Sequence, residues 1–289
     1  MTRPWVITAS NRGWHVRDLE RAFAARGAGC VVAPFTGLAG GPGGLAPVFE
    51  EAAGVLVRTI PGGTLEQVVL RMDLLHLAVE SGIKVMNSPR ALEGCVDKFL
   101  TTARLGRAGI PVPQTVACQT AHQGLEAFDK LGGDVVFKPL FGSEGRGMVR
   151  VTDRETAWRV STTLERLGAV LYAQAFVHHP GWDMRVFTLG GRVLAAMTRH
   201  SRSDWRTNVA LGGEARAATA PAEVADLALR SAEVMGAEMA GVDLLTDPQG
   251  KWWVIEVNAV PGWRGLTEAT GQDIALAIVD LALGERAWG

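Results

Sequence analysis

The sequence predicts an α/β protein built from two units. Over the first ninety residues, short apolar runs alternate with segments whose apolar residues recur at helical spacing, which is typical of a small parallel sheet covered by helices. A second unit begins near Arg90 and contains a larger number of strand-like runs. At 289 residues, the chain is long enough for two domains.

Each strand of the first unit is predicted from a short apolar run, and each helix from apolar residues three or four positions apart. The predicted strands are residues 5–9, 30–33, 55–57 and 83–87. The predicted helices are the segment around residues 19–23, which Gly27 closes, and residues 64–81, which Gly82 follows. The glycine-rich residues 37–44 are predicted to form a loop.

The second unit is predicted to begin with a helix at residues 91–108, which the two prolines within residues 109–115 end. Further strands are expected at residues 134–140, 148–152, 170–176, 184–189, 192–197, 241–246 and 252–258. Further helices are expected at residues 155–167, 222–235 and 272–283. Because the turn sequence DPQG joins the last two strands, they should form an antiparallel hairpin.

Composition narrows the class of protein. A formal net charge of -1, with no run of Lys or Arg, gives no overall attraction to nucleic acid or to an anionic membrane. The three cysteines lie far apart without metal-ligand spacing, which fits a reducing compartment. No signal peptide or membrane span is evident, so we expect a cytoplasmic protein.

The predicted hairpin carries three oxygen-bearing side chains in an apolar setting. Glu256 and Asn258 point to one face of the last strand because side chains alternate along a strand, and Asp243 lies on its partner. If the register places Asp243 beside them, the set suits Mg²⁺, which is bound through a few carboxylates and the phosphates of a substrate. Each residue alone could simply form a local hydrogen bond, but three together favour a metal site.

The sequence GSEGRG lies between two predicted strands and could hold phosphate groups. Glycines let backbone N–H groups approach phosphate oxygens closely, although such a loop is often only a turn. It contains neither a Walker A sequence nor G-x-G-x-x-G before a helix. Two lysines strengthen the phosphate interpretation: Lys138 lies on the apolar strand just before the loop, and Lys98 lies in a helical stretch.

Three further polar residues, Arg185, Arg206 and Asn208, lie in segments where they could bind a carboxylate or phosphate. The planar guanidinium group matches both anions, although each arginine could instead form a surface ion pair. No G-x-S-x-G elbow, H-E-x-x-H or other zinc pattern is present, so a serine hydrolase or a zinc enzyme has no support.

The order of these features resembles the ATP-grasp superfamily, and most closely the RimK-type α-L-glutamate ligases. The resemblance runs over nearly the whole chain, and residues 57–102 look similar to the members that glutamylate tetrahydromethanopterin. It implies an ATP-grasp fold with an N-terminal parallel α/β domain at residues 1–90 and an ATP-grasp domain at residues 91–289. The latter would comprise a lid subdomain at about residues 98–173 and a C-terminal core at about residues 174–289.

The resemblance also implies roles for individual residues. Nucleotide binding would fall to Lys98, Lys138, Gly142, Ser143, Glu144, Gly145, Arg146, Gly147, Gln174, Ala175, Phe176, Val177 and Asp183. Metal binding would fall to Asp243, Glu256 and Asn258, and orientation of the reacting carboxylate to Arg185, Arg206 and Asn208. Ala175 stands where many relatives carry Glu, and AVPGWR replaces the commoner ending after Asn258.

The expected activity is an ATP-dependent carboxylate–amine ligase that uses Mg²⁺ or Mn²⁺ and passes through an acyl phosphate. The expected substrates are a small-molecule carboxylate, such as a pterin or furan one-carbon carrier, and an amino acid, with L-glutamate ranked first. No nucleic-acid or membrane partner is expected, and a homo-oligomer is possible. Two alternatives stay open: a D-alanine–D-alanine-like or peptide ligase of the same superfamily, and a nucleotide-binding regulatory module without catalysis.

Overall fold

The computed structural model describes residues 3–142, 145–201, 204–207 and 213–285, and three sheets organise them. The first part of the chain contains, in order, β1 (Trp5–Thr8), α1 (Trp14–Ala25), β2 (Cys30–Ala33), β3 (Gly40–Gly41), β4 (Gly44–Leu45), α2 (Pro47–Glu50), β5 (Gly54–Val57), α3 (Leu65–Glu80) and β6 (Lys84–Met86). Four of these strands form a parallel sheet in the order β2-β1-β5-β6, as the alternating pattern predicts.

Both faces of the two central strands, β1 and β5, are buried, which explains why these strands are continuous apolar runs. Alternate residues of β1 enter different cores: Val6 packs with one cluster, and Trp5 and Ile7 pack with the other. The predicted loop at residues 37–44 contains β3 and the first residue of β4, and these two short strands pair with each other.

The second sheet is antiparallel and lies in the middle of the chain. Its elements are α4 (Pro89–Val96), α5 (Lys98–Arg107), β7 (Thr115–Cys118), α6 (Ala121–Lys130), β8 (Val135–Lys138), β9 (Val149–Val151), α7 (Arg154–Arg166) and β10 (Leu171–Ala175). The strand order is β7-β10-β8-β9, and α6 and α7 pack against one face around Phe128 and Phe137.

The single helix predicted at residues 91–108 is wrong, because the chain forms two helices, α4 and α5. Asp97 separates the two helices because its backbone is extended, with φ -89° and ψ 103°. Its carboxylate accepts a hydrogen bond from the Leu100 N–H at 2.9 Å. An aspartate in this position caps the second helix. The break therefore fixes Lys98 as the first residue of α5.

The third sheet is antiparallel and has the order β13-β12-β11-β14-β15. Its elements are β11 (Trp182–Leu189), β12 (Arg192–His200), β13 (Glu214–Ala218), α8 (Ala222–Met235), β14 (Met239–Thr246), β15 (Trp252–Asn258), α9 (Arg264–Thr270) and α10 (Ile274–Leu283). The predicted final hairpin is confirmed as β14 and β15. Helix α8 covers one face of this sheet, and α9 and α10 cover the other with α1.

A buried asparagine joins the first sheet to the third. The Asn87 amide donates hydrogen bonds to the Met239 and Ala259 carbonyls at 2.6 and 2.7 Å, and its oxygen accepts one from the Met239 N–H at 3.0 Å. The loop that follows β15 is thereby held against the parallel sheet. Within the described part of the chain, no helix combines the length and apolar character needed to cross a membrane.

Candidate functional site

A cleft lies between the second and third sheets, and most of the predicted site residues line it. Those that line it are Lys98, Lys138, Gly142, Gly145, Arg146, Gln174, Ala175, Phe176, Val177, Asp183, Arg206, Asp243 and Glu256. Three others, Gly147, Arg185 and Asn258, are not part of its lining. The predicted Ser143, Glu144 and Asn208 lie outside the described residues.

Lys138 is a buried cation at the end of β8. Its ammonium group donates to the Gln174 oxygen at 2.6 Å, and the Gln174 amide in turn donates to the Thr115 and Tyr172 hydroxyl groups at 2.9 and 3.1 Å. Burial lowers the pKa of Lys138 to about 8, and the Lys98 charge acts in the same direction while Glu256 opposes it. An anion in the cleft would supply the charge that Gln174 cannot.

Lys98 connects the glycine-rich loop with the third sheet. Its ammonium group donates to the Gly142 carbonyl at 2.5 Å and lies 3.8 Å from a Glu256 carboxylate oxygen. Because α5 begins at Lys98, the side chain projects from a helix end that is fixed by the Asp97 cap. Two lysines and the start of the loop therefore converge on one part of the cleft, as a phosphate site requires.

The two carboxylates of the predicted metal set converge because of a β-bulge. Residue Thr246 pairs with Trp252 near the turn, and this register would place Ile255 opposite Asp243. The register shifts between Asp243 and Leu244, so that Glu256 lies opposite Asp243 instead. A one-residue shift turns side chains to the other face, so the bulge brings both carboxylates to the cleft.

Asp243 forms ion pairs with two arginines. Arg185, directly opposite on β11, donates to its two carboxylate oxygens at 2.7 and 2.8 Å, and Arg199 lies 2.9 Å from one of them. Burial opposes ionisation, but the two arginines outweigh it and hold the pKa of Asp243 below its ordinary value. Arg185, which is predicted to orient a reacting carboxylate, already forms an ion pair with Asp243 in the protein.

The third member of the set, Asn258, lies two residues along β15 from Glu256 and pairs with Gly241. Its side-chain oxygen accepts a hydrogen bond from the Val260 N–H at 2.8 Å, which fixes the following loop. Among the described residues there is no cluster of three or more His, Cys, Asp or Glu suited to a metal. Two carboxylates and one amide oxygen, each with a lone pair to spare, still fit Mg²⁺ completed by phosphate oxygens.

Arg199 lines the cleft, and sequence reasoning missed it. It lies opposite Asp183 on the neighbouring strand and donates to both Asp183 oxygens at 2.7 and 2.5 Å, while the Thr207 hydroxyl donates to one of them at 2.6 Å. Asp183, predicted near a ribose, is thus the anchor of Arg199. A second bulge, between Phe187 and Thr188, sets this pairing, because an uninterrupted register would place Thr198 opposite Asp183.

Arg206 lines the cleft but is already paired. Its guanidinium group donates to an Asp204 oxygen at 2.9 and 2.6 Å and lies 5.7 Å from the Trp205 ring. Arg206 thereby lowers the pKa of Asp204. Ala175 and Val177 contribute no side-chain hydrogen-bonding group, so a contact to a nucleotide base there would use backbone groups.

The chain belongs to the RimK-like ATP-grasp family, whose domain model matches residues 95–282. The family consists of ATP-dependent ligases that form C–N bonds, and this protein is an enzyme of that class. It is 31% identical over 261 residues to the tetrahydromethanopterin:α-L-glutamate ligase of Methanosarcina acetivorans, an alignment that covers 81% of this chain and 80% of that one.

Two solved structures share the fold along almost the whole chain. The crystal structure of a RimK domain ATP-grasp protein from Sphaerobacter thermophilus superposes with a TM-score of 0.78 at 25% identity, covering 97% of this chain and 100% of the other. The ATP-grasp ligase PsnB, solved with a variant of its minimal precursor, Mg and ADP, gives a TM-score of 0.78 at 22% identity, with 99% of both chains covered. The predicted fold and family are confirmed.

Proposed function

We propose that the protein joins an amino acid to a carboxylate acceptor through an acyl phosphate. L-Glutamate is the first candidate for the amino acid. The observation that carries the proposal is the distribution of charge in the cleft. Lys98 and Lys138 enter from the second sheet and α5, while Asp243 and Glu256 enter from the bulged hairpin of the third sheet. Cations for a triphosphate and oxygen ligands for its metal ion thus lie in one space.

The proposed reaction needs positioning and charge stabilisation rather than a nucleophilic side chain. A carboxylate oxygen of the acceptor attacks the γ-phosphorus of ATP, the bond to the β-phosphate oxygen breaks, and ADP leaves. The amine of the amino acid then attacks the acyl carbon, and phosphate leaves as the amide forms. In this scheme Lys98 and Lys138 hold the phosphates, and Arg185 orients the acceptor carboxylate.

The metal ion would be held by Asp243, Glu256 and Asn258, and when bound it would neutralise charge on the transferring phosphoryl group. Gly142, Gly145 and Arg146 would cover the phosphates, and backbone groups near Ala175 would contact the base. Ser143, Glu144 and Gly147 of the same loop, and the carboxylate-orienting Arg206 and Asn208, remain part of the proposal.

We also propose the domain division expected from the resemblance, with a boundary near residue 90 and a lid at about residues 98–173. The parallel sheet ends at Met86, the second sheet spans residues 115–175, and the third begins at Trp182. Each proposed unit therefore has its own sheet. A fragment ending near residue 90 that folds alone would support the first boundary.

The direct test measures ADP formation with Mg²⁺, ATP, L-glutamate and a panel of carboxylate acceptors, with mass spectrometry of the products. Glu256→Gln should abolish ADP formation without a change in the far-UV circular dichroism spectrum, because it removes a charged metal ligand. Glu155→Gln, at an exposed position on α7 paired with Arg159, is the matched control and should keep full activity. Unchanged turnover in Glu256→Gln would contradict the metal assignment.

The same assay separates the alternatives. ADP formation that requires D-alanine or a peptide and ignores glutamate would replace the glutamate ligase with another ligase of the superfamily. ATP binding by the wild type without turnover across the whole panel would instead favour a regulatory module. Replacement of Mg²⁺ by Mn²⁺ should preserve activity, since both take oxygen ligands.

A further inference from the structure

The carboxyl ends of β1 and β5 form an edge of the parallel sheet that the proposed reaction does not use. From β1 the chain moves to β2 on one side, and β5 later adds on the other side, so the loops after β1 and β5 diverge. Such divergence creates a crevice where α/β proteins bind ligands. Close to the strand ends the two loops still contact each other, because the hydroxyl oxygens of Ser10 and Thr59 lie 3.2 Å apart.

Helix α1 begins in this crevice with its first turn uncapped. The N-cap residue is Gly13, which has no side chain to accept a hydrogen bond, and the described first turn contains no acidic residue. The first helical bond runs from the Arg17 N–H to the Gly13 carbonyl at 3.2 Å, so the preceding amides are not used by the helix. These amides and the helix dipole favour an anion at this end.

Arg58, the residue that follows β5, adds a buried cation to the same crevice. Only 8% of it is exposed, its Nη1 donates to the Val260 carbonyl at 3.0 Å, and its guanidinium carbon lies 5.0 Å from the centre of the Trp263 ring. Its Nε is buried and has no hydrogen-bond partner among the described residues. Among the described residues no carboxylate forms a salt bridge with Arg58, and burial is the one influence on its pKa, so the charge has no counterion in this part of the chain.

The neighbouring residues His15 and Asp18 do not neutralise the charge of Arg58. The Nε2 atom of His15 accepts hydrogen bonds from the Trp263 and Arg264 N–H groups at 3.1 and 3.3 Å, so its proton lies on Nδ1. Burial, followed by the Arg58 charge, lowers the pKa of His15 to about 4. Asp18 opposes that shift, but its oxygens already accept from Arg21 and from the Trp263 indole N–H.

The crevice adjoins the proposed reaction site through one residue. The Val260 carbonyl accepts from Arg58, and the Val260 N–H donates to the side chain of Asn258, a proposed metal ligand. The next residue, Pro261, packs against Gly241 on β14, close to the Nε of Arg185. Val260 and Pro261 therefore connect Arg58 with the residues proposed to hold the metal ion and the acceptor carboxylate.

We propose that Arg58 and the N-terminus of α1 bind a non-reacting carboxylate of a substrate. The planar guanidinium group and the first-turn amides that the helix does not use match the two oxygens of a carboxylate, and the bound anion would supply a counterion for Arg58. This inference rests on the proposed ligase function for the identity of the substrate. The carboxylate belongs either to the incoming amino acid or to the acceptor, and the chemistry of recognition is the same.

The test combines ligand binding with thermal unfolding of the full chain in the presence of Mg²⁺ and ADP. The probes are L-glutamate, which carries an amine, and glutarate, which has two carboxylates and no amine. Arg58→Met should weaken binding of at least one probe by about tenfold or more, because it removes a charge-assisted contact. Its melting temperature without a probe should equal or exceed that of the wild type, because an uncompensated buried charge has been removed.

Two further variants make the result specific. Arg58→Lys keeps the charge but loses the planar fork, so the affinity for the same probe should be intermediate. Arg159→Met removes one positive charge from an exposed position of α7, 74% exposed, and should leave both probes and the melting temperature unchanged. If Arg58→Met does not fold, the affinity of Arg58→Lys decides the question.

The pattern of affinities identifies the source of the carboxylate. Weaker binding of L-glutamate alone assigns the site to the amino acid, and weaker binding of glutarate alone assigns it to the acceptor; a loss for both shows that the amine is not required. Affinities within about twofold of the wild type in both Arg58 variants, or a wild type that binds neither probe, would overturn the proposal. Arg58-dependent binding without any ADP formation would instead support this site and contradict the proposed ligase function.

Discussion

Arg199 and Arg58 are both buried, but the protein compensates their charges in opposite ways. Arg199 is 3% exposed and lies between the carboxylates of Asp183 and Asp243, whereas Arg58 is 8% exposed and contacts one carbonyl and one aromatic ring. Burial acts against the charge of both residues. The two carboxylates outweigh it and raise the pKa of Arg199, while burial alone lowers the pKa of Arg58 to about 10.

The difference indicates separate tasks for the two arginines. A guanidinium group with two internal counterions is a fixed part of the cleft wall, because removing it would leave two carboxylates buried together. A guanidinium group without a counterion keeps the ability to bind an external anion. The surroundings of each arginine, rather than its burial, therefore separate a structural brace from a binding group.

The largest effect is expected for Arg199→Met. Asp183 and Asp243 would remain buried without their shared cation, so the free energy of unfolding should fall by about 3–5 kcal/mol. Urea denaturation at neutral pH measures the loss. Arg159→Met, in an exposed pair on α7, should change stability by less than about 0.5 kcal/mol. A loss below about 1 kcal/mol for Arg199→Met would contradict its role as a brace.

A smaller loss is expected for Asp183→Asn. Arg199 keeps Asp243 and the shape of the side chain is retained, but charge-assisted hydrogen bonds from Arg199 and the bond from Thr207 weaken. We expect a loss of about 2 kcal/mol by denaturation, since hydrogen bonds to charged groups contribute about that amount. The exposed Asp226→Asn on α8, paired with Arg230, serves as the control, and an equal loss there would remove the distinction.

Periodicity in the sequence was sufficient for most elements but not for the pairing of charges. The strands of the parallel sheet, helix α8 and the final hairpin all agree with the prediction, because burial imposes a clear period on each. The pairings Asp183 with Arg199 and Asp243 with Glu256 both depend on a bulge. Counting from the turns gives the other register, so the bulges had to be seen in the structure.

Other errors have local causes. The break at Asp97 was missed because residues 91–108 have a helical pattern on both sides of it, and only the capping geometry reveals the boundary. Arg58 was overlooked because an arginine after an apolar strand is usually solvated. Its position at the carboxyl end of a central parallel strand was the available signal.

Lys138 is a buried cation intermediate between Arg199, which has carboxylate partners, and Arg58, which has none among the described residues. Its partner Gln174 is polar but uncharged. Since burial lowers its pKa to about 8, its charge, and with it the affinity for ATP, should decline as the pH rises above about 8, by up to tenfold per pH unit. Gln174→Glu supplies a counterion and should move this decline to higher pH. Titrations of ATP binding between pH 7 and 10 test both statements, and identical profiles for the two proteins would contradict them.

The lowered pKa of Lys138 also determines how the free energy of unfolding changes with pH. Between pH about 8 and the unfolded-state value of 10.5, Lys138 holds fewer protons in the folded protein than in the unfolded chain. The free energy of unfolding should therefore rise with pH across this interval through Lys138, and below it the folded state carries the cost of the buried charge. Lys138→Met should remove this contribution, which is read as the difference between the two pH profiles.

The smallest effect is expected for Arg71, which extends the comparison to a third buried arginine. Arg71 is 8% exposed, as is Arg58, but its Nη1 donates to the Pro61 carbonyl at 2.6 Å and to the Gly62 carbonyl at 3.3 Å. Because these carbonyls already satisfy it, Arg71→Met should destabilise the protein by about 1 kcal/mol, whereas Arg58→Met should not destabilise it. Thermal unfolding of the two variants without ligand makes this a matched pair. Equal losses would show that Arg58 is held by the fold as firmly as Arg71, and that an absent counterion does not mark a binding residue here.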